Sequence, residues 1–201
     1  MRVIVCRHGK PEGTEYGRRY LGLTDESLSE EGRKQAEELG GHLTELIAGA
    51  PVRIVSSPLL RALETALVIK EHLGCEFIET DRELAEINMG EWDGKSFSEV
   101  MEEYPQEYEA RGRDLWNYQV SGGESFAEAG ARFVKEIREI TGCAHPEEVI
   151  VVVSHRGVML AGLSLMTDIP FEEWMNSKIN YAGAVILDVT GGRTMVEREI
   201  K

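Results

Sequence analysis

Three stretches of the chain are apolar without alternation, and each ends on a small set of polar residues. Val3-Ile4-Val5-Cys6 runs into Arg7-His8-Gly9, Val149-Ile150-Val151-Val152-Val153 into Ser154-His155-Arg156-Gly157, and Val52-Arg53-Ile54-Val55 into Ser56-Ser57-Pro58. Short β-branched runs of this kind predict strands buried on both faces, whose last residues emerge at the carboxyl edge of a parallel sheet. Ligands bind at that edge in open α/β sheets.

Between and after these runs the apolar spacing changes to that of helices. Ser29, followed by Glu30 and Glu31, starts a helix with Ala36, Leu39, Leu43, Leu46 and Ile47 as its buried face. Ser57 is expected to cap a second helix, with Pro58 at its first position, Leu59, Leu63, Ala66, Leu67 and Ile69 buried, and Gly74 as its stop. Phe77-Ile78 would add a short third strand. From about residue 81 to 144 no buried-strand run occurs. Acids and aromatics dominate there, and Ser125-Phe126-Ala127-Glu128 has capping-box spacing ahead of an apolar stripe through Phe126, Ala129, Phe133, Val134, Ile137 and Ile140. This segment reads as a helical cap inserted over the sheet edge. A helix leaves from Gly157, and residues 184–189 and 194–200 form an antiparallel hairpin about Thr190-Gly191-Gly192-Arg193. The prediction is a single α/β domain with a mainly parallel sheet flanked by helices, its core about 1–80 and 145–201 and its cap about 81–144.

Charge narrows the partners. Lys and Arg number 22 against 36 Asp and Glu in 201 residues, a net charge of −14, which opposes nucleic acid and anionic membranes as partners. Any anion site must then be a local positive pocket. Cys6, Cys75 and Cys143 lack metal-type spacing and read as reduced structural thiols. With no signal-like segment and no apolar run of membrane-spanning length, a soluble cytoplasmic protein is expected.

If the three strands are neighbours, His8 and His155 share one crevice with Arg7 and Arg61, the last placed by the helix after Pro58. Two histidines and an acid such as Glu86 suggest a metal site, but Arg7 and Arg156 beside the histidines would repel a dication, so no metal or cofactor is expected. Cysteine chemistry of the phosphatase type is disfavoured because Glu12, Asp81 and Val149, not arginine, stand six positions after the cysteines. The stretch Gly90-Glu91-Trp92-Asp93-Gly94-Lys95-Ser96 is one residue short of a nucleotide-binding loop, follows no strand, and reads as a turn entering a helix. What remains is phosphoryl transfer to a histidine. A neutral imidazole attacks if its other nitrogen is held, arginine forks neutralise the phosphoryl oxygens, and a carboxylic acid protonates the leaving oxygen. Glu83, Glu86 and Glu91 all stand at the entrance to the cap as candidates for that acid.

The order of these motifs resembles one family. Arg7-His8-Gly9, Ser56-Ser57-Pro58 with Arg61 and Thr65-Ala66, Leu84-Ala85-Glu86 with Gly90-Glu91-Trp92-Asp93-Gly94, Gly122-Gly123-Glu124-Ser125, and Ser154-His155 are similar to the histidine phosphatase superfamily, the phosphoglycerate mutase-like proteins, over nearly the whole chain. The resemblance implies a three-layer α/β sandwich with a helical cap. It implies His8 as phosphorylated nucleophile, Glu86 as proton donor, and Arg7, Arg61 and His155 as the phosphate pocket. Arg19-Tyr20-Leu21-Gly22-Leu23-Thr24-Asp25 resembles the α-ribazole phosphatase branch, implying hydrolysis of a small phosphate ester, with α-ribazole 5'-phosphate as one substrate. Two positions depart from the pattern. Lys10-Pro11 replaces an acid and a hydroxyl, leaving Thr14 as the candidate hydroxyl, and Arg156 replaces a small residue, either to bind a second anionic group of the substrate or to point to a surface acid. The alternatives are a cofactor-dependent phosphoglycerate mutase and, of another class, a non-catalytic phosphate-binding regulatory module. A homodimer is compatible with this reading.

Overall fold

The uniform apolar runs exist because both faces of the sheet are covered. In the computed structural model, which describes residues 1–14, 17–190 and 193–200, β1 (Arg2–Arg7) sends Val3 and Val5 to one face and Ile4 and Cys6 to the other, all four fully buried. The same division runs through β2 (Val52–Ser56) and β4 (Val149–Ser154). Each fully buried Val or Ile contributes about 1.5–3 kcal/mol relative to exposure, so neither face tolerates a polar alternation.

Among the described residues one sheet forms, in the order β3-β2-β4-β1-β5-β6. Strands β1, β2, β3 (Glu79–Thr80) and β4 are parallel, while β5 (Ala184–Thr190) runs antiparallel to β1 and pairs with β6 (Arg193–Ile200). The hairpin strands lie where expected, and the Gly191-Gly192 tip lies outside the described residues. One face is packed by α1 (Glu30–Ile47) and α2 (Leu60–Leu73), through Leu39, Leu43, Ala62, Ala66 and Ile69. The other is packed by α5 (Phe126–Gly142) and α6 (Arg156–Met166), through Phe133, Ile137, Leu160 and Leu163. The result is three layers, helix, sheet and helix.

Ser29 caps α1, its hydroxyl accepting from Gly32 N, and Ser125 caps α5 through a reciprocal box with Glu128. Between β3 and α5 the chain makes two 3-10 turns, Arg82–Leu84 and Gly90–Trp92, then α3 (Phe97–Glu103) and α4 (Pro105–Arg113). The stripe on α5 is buried in one cluster with Val3, Val5, Ile150 and Val152 of the sheet. Helix α7 (Phe171–Asn176) follows α6.

Three local expectations are corrected. The third strand is Glu79–Thr80, not Phe77-Ile78; Phe77 is 66% exposed. Helix α2 starts at Leu60, with Leu59 at its cap and no side-chain capping bond, so neither Ser57 nor Pro58 has the predicted place. Its buried face is Arg61, Ala62, Thr65, Ala66 and Ile69, and Leu67 is exposed. The spacing is helical, but the inward phase is set by two polar residues.

Candidate active site

The parallel ladder runs past the last strand residues and fixes where the polar ends stand. Arg7 pairs with Ser154 and Ser56 with Val153, and the amides of His8 and Ser57 still donate to the carbonyls of Ser154 (3.0 Å) and Val153 (2.9 Å). With β4 between β1 and β2, His8 and His155 become neighbours, their rings 5.0 Å apart at 54° and both buried.

The environment of His8 sets its tautomer and charge. Nδ1 lies 2.6 Å from the Gly9 carbonyl, which can only accept, so Nδ1 carries the proton and Nε2 keeps its lone pair. Burial, then the charges of Arg61 and Arg7, push the imidazole well below the usual histidine range and keep it neutral. Gly9 is itself pinned: its amide donates to Thr65 Oγ1 at 3.0 Å, and that hydroxyl donates to the Arg61 carbonyl at 2.7 Å. A side chain at residue 9 would collide with the Gly32 carbonyl. His155 is held by Ser57, whose Oγ is 2.8 Å from Nε2. The Ser57 hydroxyl that the sequence assigned to a helix cap therefore faces a histidine.

The arginines are fixed by backbone, not by acids. Arg61, fully buried, donates from Nη1 to Thr24 O (2.8 Å) and from Nη2 to Gly22 O (2.7 Å). That loop is held by the Asp93 carboxylate, which accepts from the amides of Gly22, Leu23 and Thr24 at 2.8–2.9 Å. Arg7 donates to Ile179 O at 3.0 Å and lies 3.8 Å over the Tyr181 ring. Burial lowers its pKa to about 10, leaving it a cation at neutral pH. The Nε atoms of both arginines and Nδ1 of His155 are buried without a hydrogen-bond partner among the described residues. Such orphaned groups are costly unless a ligand satisfies them.

Around these residues is a cavity of about 190 Å³ lined by Arg7, His8, Arg61, Glu86, Thr14, Arg156 and Tyr181, with Pro11 also on its wall. His155, fully buried, does not line it. Of the acids at the cap entrance, Glu86 alone reaches this cavity; Glu83 does not line it, and Glu91 is exposed. The Glu86 carboxylate accepts from Ile87 N and Val158 N at 2.9 Å and from Gly157 N at 3.0 Å, which seats it at the amino end of α6. Thr14 Oγ1 donates to Pro11 O at 3.3 Å. Arg156 donates to the Met175 carbonyl at 2.9 Å instead of pairing with a surface acid, and it lines the cavity mouth. Among the described residues no group of three or more His, Cys, Asp or Glu is arranged to hold a metal.

Several site residues had no role assigned from sequence. Arg132 donates to the carbonyls of Glu83, Ala85 and Glu86 and grips Glu124 through Nε (3.0 Å) and Nη2 (2.7 Å), so it fixes the strap that carries Glu86. Nothing in the sequence set it apart from Lys135 and Arg138 on the same helix. Thr65 and Asp93 fell within quoted motifs, but their partners lie 56 and about 70 residues away. Tyr181 is 5.7 Å from His8 in a segment where Ala182 takes a left-handed φ of 54° and its amide donates to the His8 carbonyl. A non-glycine residue in that region marks strain held by its surroundings.

The family model for the histidine phosphatase superfamily (branch 1) matches residues 3–200. Phosphoserine phosphatase 1 of Hydrogenobacter thermophilus is 38% identical over 164 residues, 80% of this chain and 74% of that protein. Glucosyl-3-phosphoglycerate phosphatase of Mycolicibacterium vanbaalenii is 32% identical over 181 residues, 86% of this chain and 77% of its own. The crystal structure of the alpha-ribazole phosphatase from Shigella flexneri superposes with a TM-score of 0.83 at 23% identity, covering 100% of this chain and 96% of that one, a likeness of fold.

Proposed function

The chain belongs to branch 1 of the histidine phosphatase superfamily as a phosphomonoester hydrolase, and we propose that it works through a phosphohistidine formed on His8. Nε2 of neutral His8 attacks phosphorus, and the bond to the ester oxygen breaks. That oxygen leaves with a proton from Glu86. Water then attacks the phosphohistidine, giving its proton back to Glu86 as the phosphorus–nitrogen bond breaks and inorganic phosphate departs. Arg7 and Arg61 offset the charge on the phosphoryl oxygens, with their unsatisfied Nε groups nearest in need of an acceptor. His155 adds a nitrogen beside His8, and Thr14 and Arg156 close the mouth. No step needs a metal.

The observation that carries this reading is the pinned Nδ1 of His8 in a cavity shared with two arginines and one carboxylate. A phosphate binder would need the arginines but not a proton donor.

The substrate is a small phosphate ester. The resemblance of the loop Arg19 to Asp25 brings α-ribazole 5'-phosphate into the panel of esters to test, and the matched relatives bring phosphoserine and glucosyl-3-phosphoglycerate. The test is product analysis, after exhaustive chelation, on these three esters, on 3-phosphoglycerate and on nitrophenyl phosphate. Free phosphate from at least one natural ester is expected. Isomerised phosphoglycerate without free phosphate would favour the mutase and overturn the hydrolytic reading.

A further inference from the structure

Beside the phosphate cavity, and joined to it through Glu86, Arg156, Arg19 and Leu21, is a larger chamber of about 420 Å³ under α3 and α4. Its walls are mostly apolar, with Tyr20, Met89, Phe97, Tyr108, Leu115 and Phe126 among them. Into this apolar space the cap places one cation with no counter-ion. The Arg111 guanidinium sits 5.5 Å from the Tyr20 ring centroid, 5.6 Å from that of Phe126 and 5.9 Å from that of Trp92. Among the described residues it makes no hydrogen bond and no ion pair.

Three other arginines line the chamber; of these Arg18 is exposed and lies 4.9 Å over the Phe97 ring. Arg19 is paired with Glu26 at 2.8 Å, and Arg156 is tied to the Met175 carbonyl. Glu86, the one acid among the described lining residues, already accepts from three amides. Three aromatic faces stabilise a guanidinium modestly and leave its N–H donors unused. Burial lowers the pKa of Arg111, and the groups that act on it electrostatically are tyrosines rather than carboxylates.

We propose that Arg111 is the receptor for a second anionic group of the substrate, so that the preferred ester carries a ring or comparably flat apolar body and, at its far end, a carboxylate. This rests on the phosphatase reading for the place of the phosphate. It goes beyond it by assigning the leaving-group chamber and its specificity residue. The guanidinium supplies paired donors to a carboxylate, and the aromatic walls supply contact to the body between the two anions. An ester with a neutral leaving group would fill the space and leave Arg111 unsatisfied.

Benzylphosphonates, which cannot be hydrolysed, separate the two ideas. Binding of carboxybenzylphosphonate and of its neutral carbamoyl isostere, each as meta and para isomers, is measured by calorimetry on the intact protein. Turnover of the matching phenyl phosphates is measured in parallel. We expect the carboxylate to bind about tenfold or more tightly than the amide in at least one isomer. Arg111→Met should abolish that preference while changing amide binding by less than about threefold, and Arg111→Lys should retain part of it. Equal binding of carboxylate and amide, or a preference that survives Arg111→Met, overturns the proposal. A preference lost in Arg156→Met but kept in Arg111→Met also overturns it. Absent turnover with the binding preference intact would support the receptor and count against the hydrolytic reading alone.

Discussion

The carboxylate of Glu86 occupies the space that a side chain on residue 157 would take: a Cβ built on Gly157 would lie 2.6 Å from Glu86 Oε1 and 3.0 Å from Ile87 Cδ1. Gly157 and Val158 also donate their amides to that carboxylate. A glycine at the start of α6 is thus what lets an acid from the cap strap reach the histidine cavity.

Glu86→Gln keeps the shape but cannot give up a proton. We expect it to slow hydrolysis of an alkyl phosphate by about a hundred- to ten-thousand-fold and of nitrophenyl phosphate far less, because nitrophenolate leaves without help. Gly157→Ala should shift the carboxylate and show the same dependence on leaving group in weaker form. Steady-state kcat/KM on the two substrates checks both, and equal losses would show that Glu86 positions rather than protonates.

Arg132 does not line the cavity that holds His8, yet it holds the strap. Arg132→Leu removes a fork from three carbonyls and leaves Glu124 without its cation, at a cost of about 2 kcal/mol in stability. The activity readout is specific: alkyl phosphates should lose more kcat than nitrophenyl phosphate, as with Glu86→Gln. Arg132→Lys should rescue little, since one ammonium cannot reach the same set of partners. A fall in melting temperature with no change in the ratio of the two rates would limit Arg132 to stability.

The buried histidines predict how stability depends on pH. His8 and His155 are both held well below the usual 6.5, first by burial and next by Arg61. The unfolded chain therefore binds more protons than the folded one once pH drops below about 6.5. Their contribution is fully present above that value and is lost as pH falls toward the folded pKa values. Unfolding free energy from urea titrations should decline from pH 7.5 to 5.5, and His155→Asn should flatten the decline. A slope unchanged in the variant would contradict it.

What the sequence showed and what it hid divide along physical lines. His8, His155 and Arg7 were legible because uniform strands end on them and a parallel sheet brings such ends together. Arg61 lines the same cavity as His8, but the phase of its helix was misread. Leucines at 63 and 67 suggested the inward face, while the buried face is built on Arg61 and Thr65, whose backbone and hydroxyl organise the site. Ser57 looked like a cap because serine before proline usually is one; its hydroxyl goes to His155 instead. Asp93, Arg132 and Tyr181 act through partners distant in sequence, and no local pattern announces such bonds. Glu86 stood out from its acidic neighbours through family resemblance, and the cavity then separated it from Glu83 and Glu91 by position.

The central claim is that phosphate is carried on Nε2 of His8. Mixing the protein with a labelled phosphomonoester and quenching within the first turnovers should trap label on the chain. The label should be lost in acid and retained in base, and peptide mapping should place it on His8. His8→Ala should remain folded and trap none. Label recovered on another residue, or full turnover by His8→Ala, would contradict the mechanism.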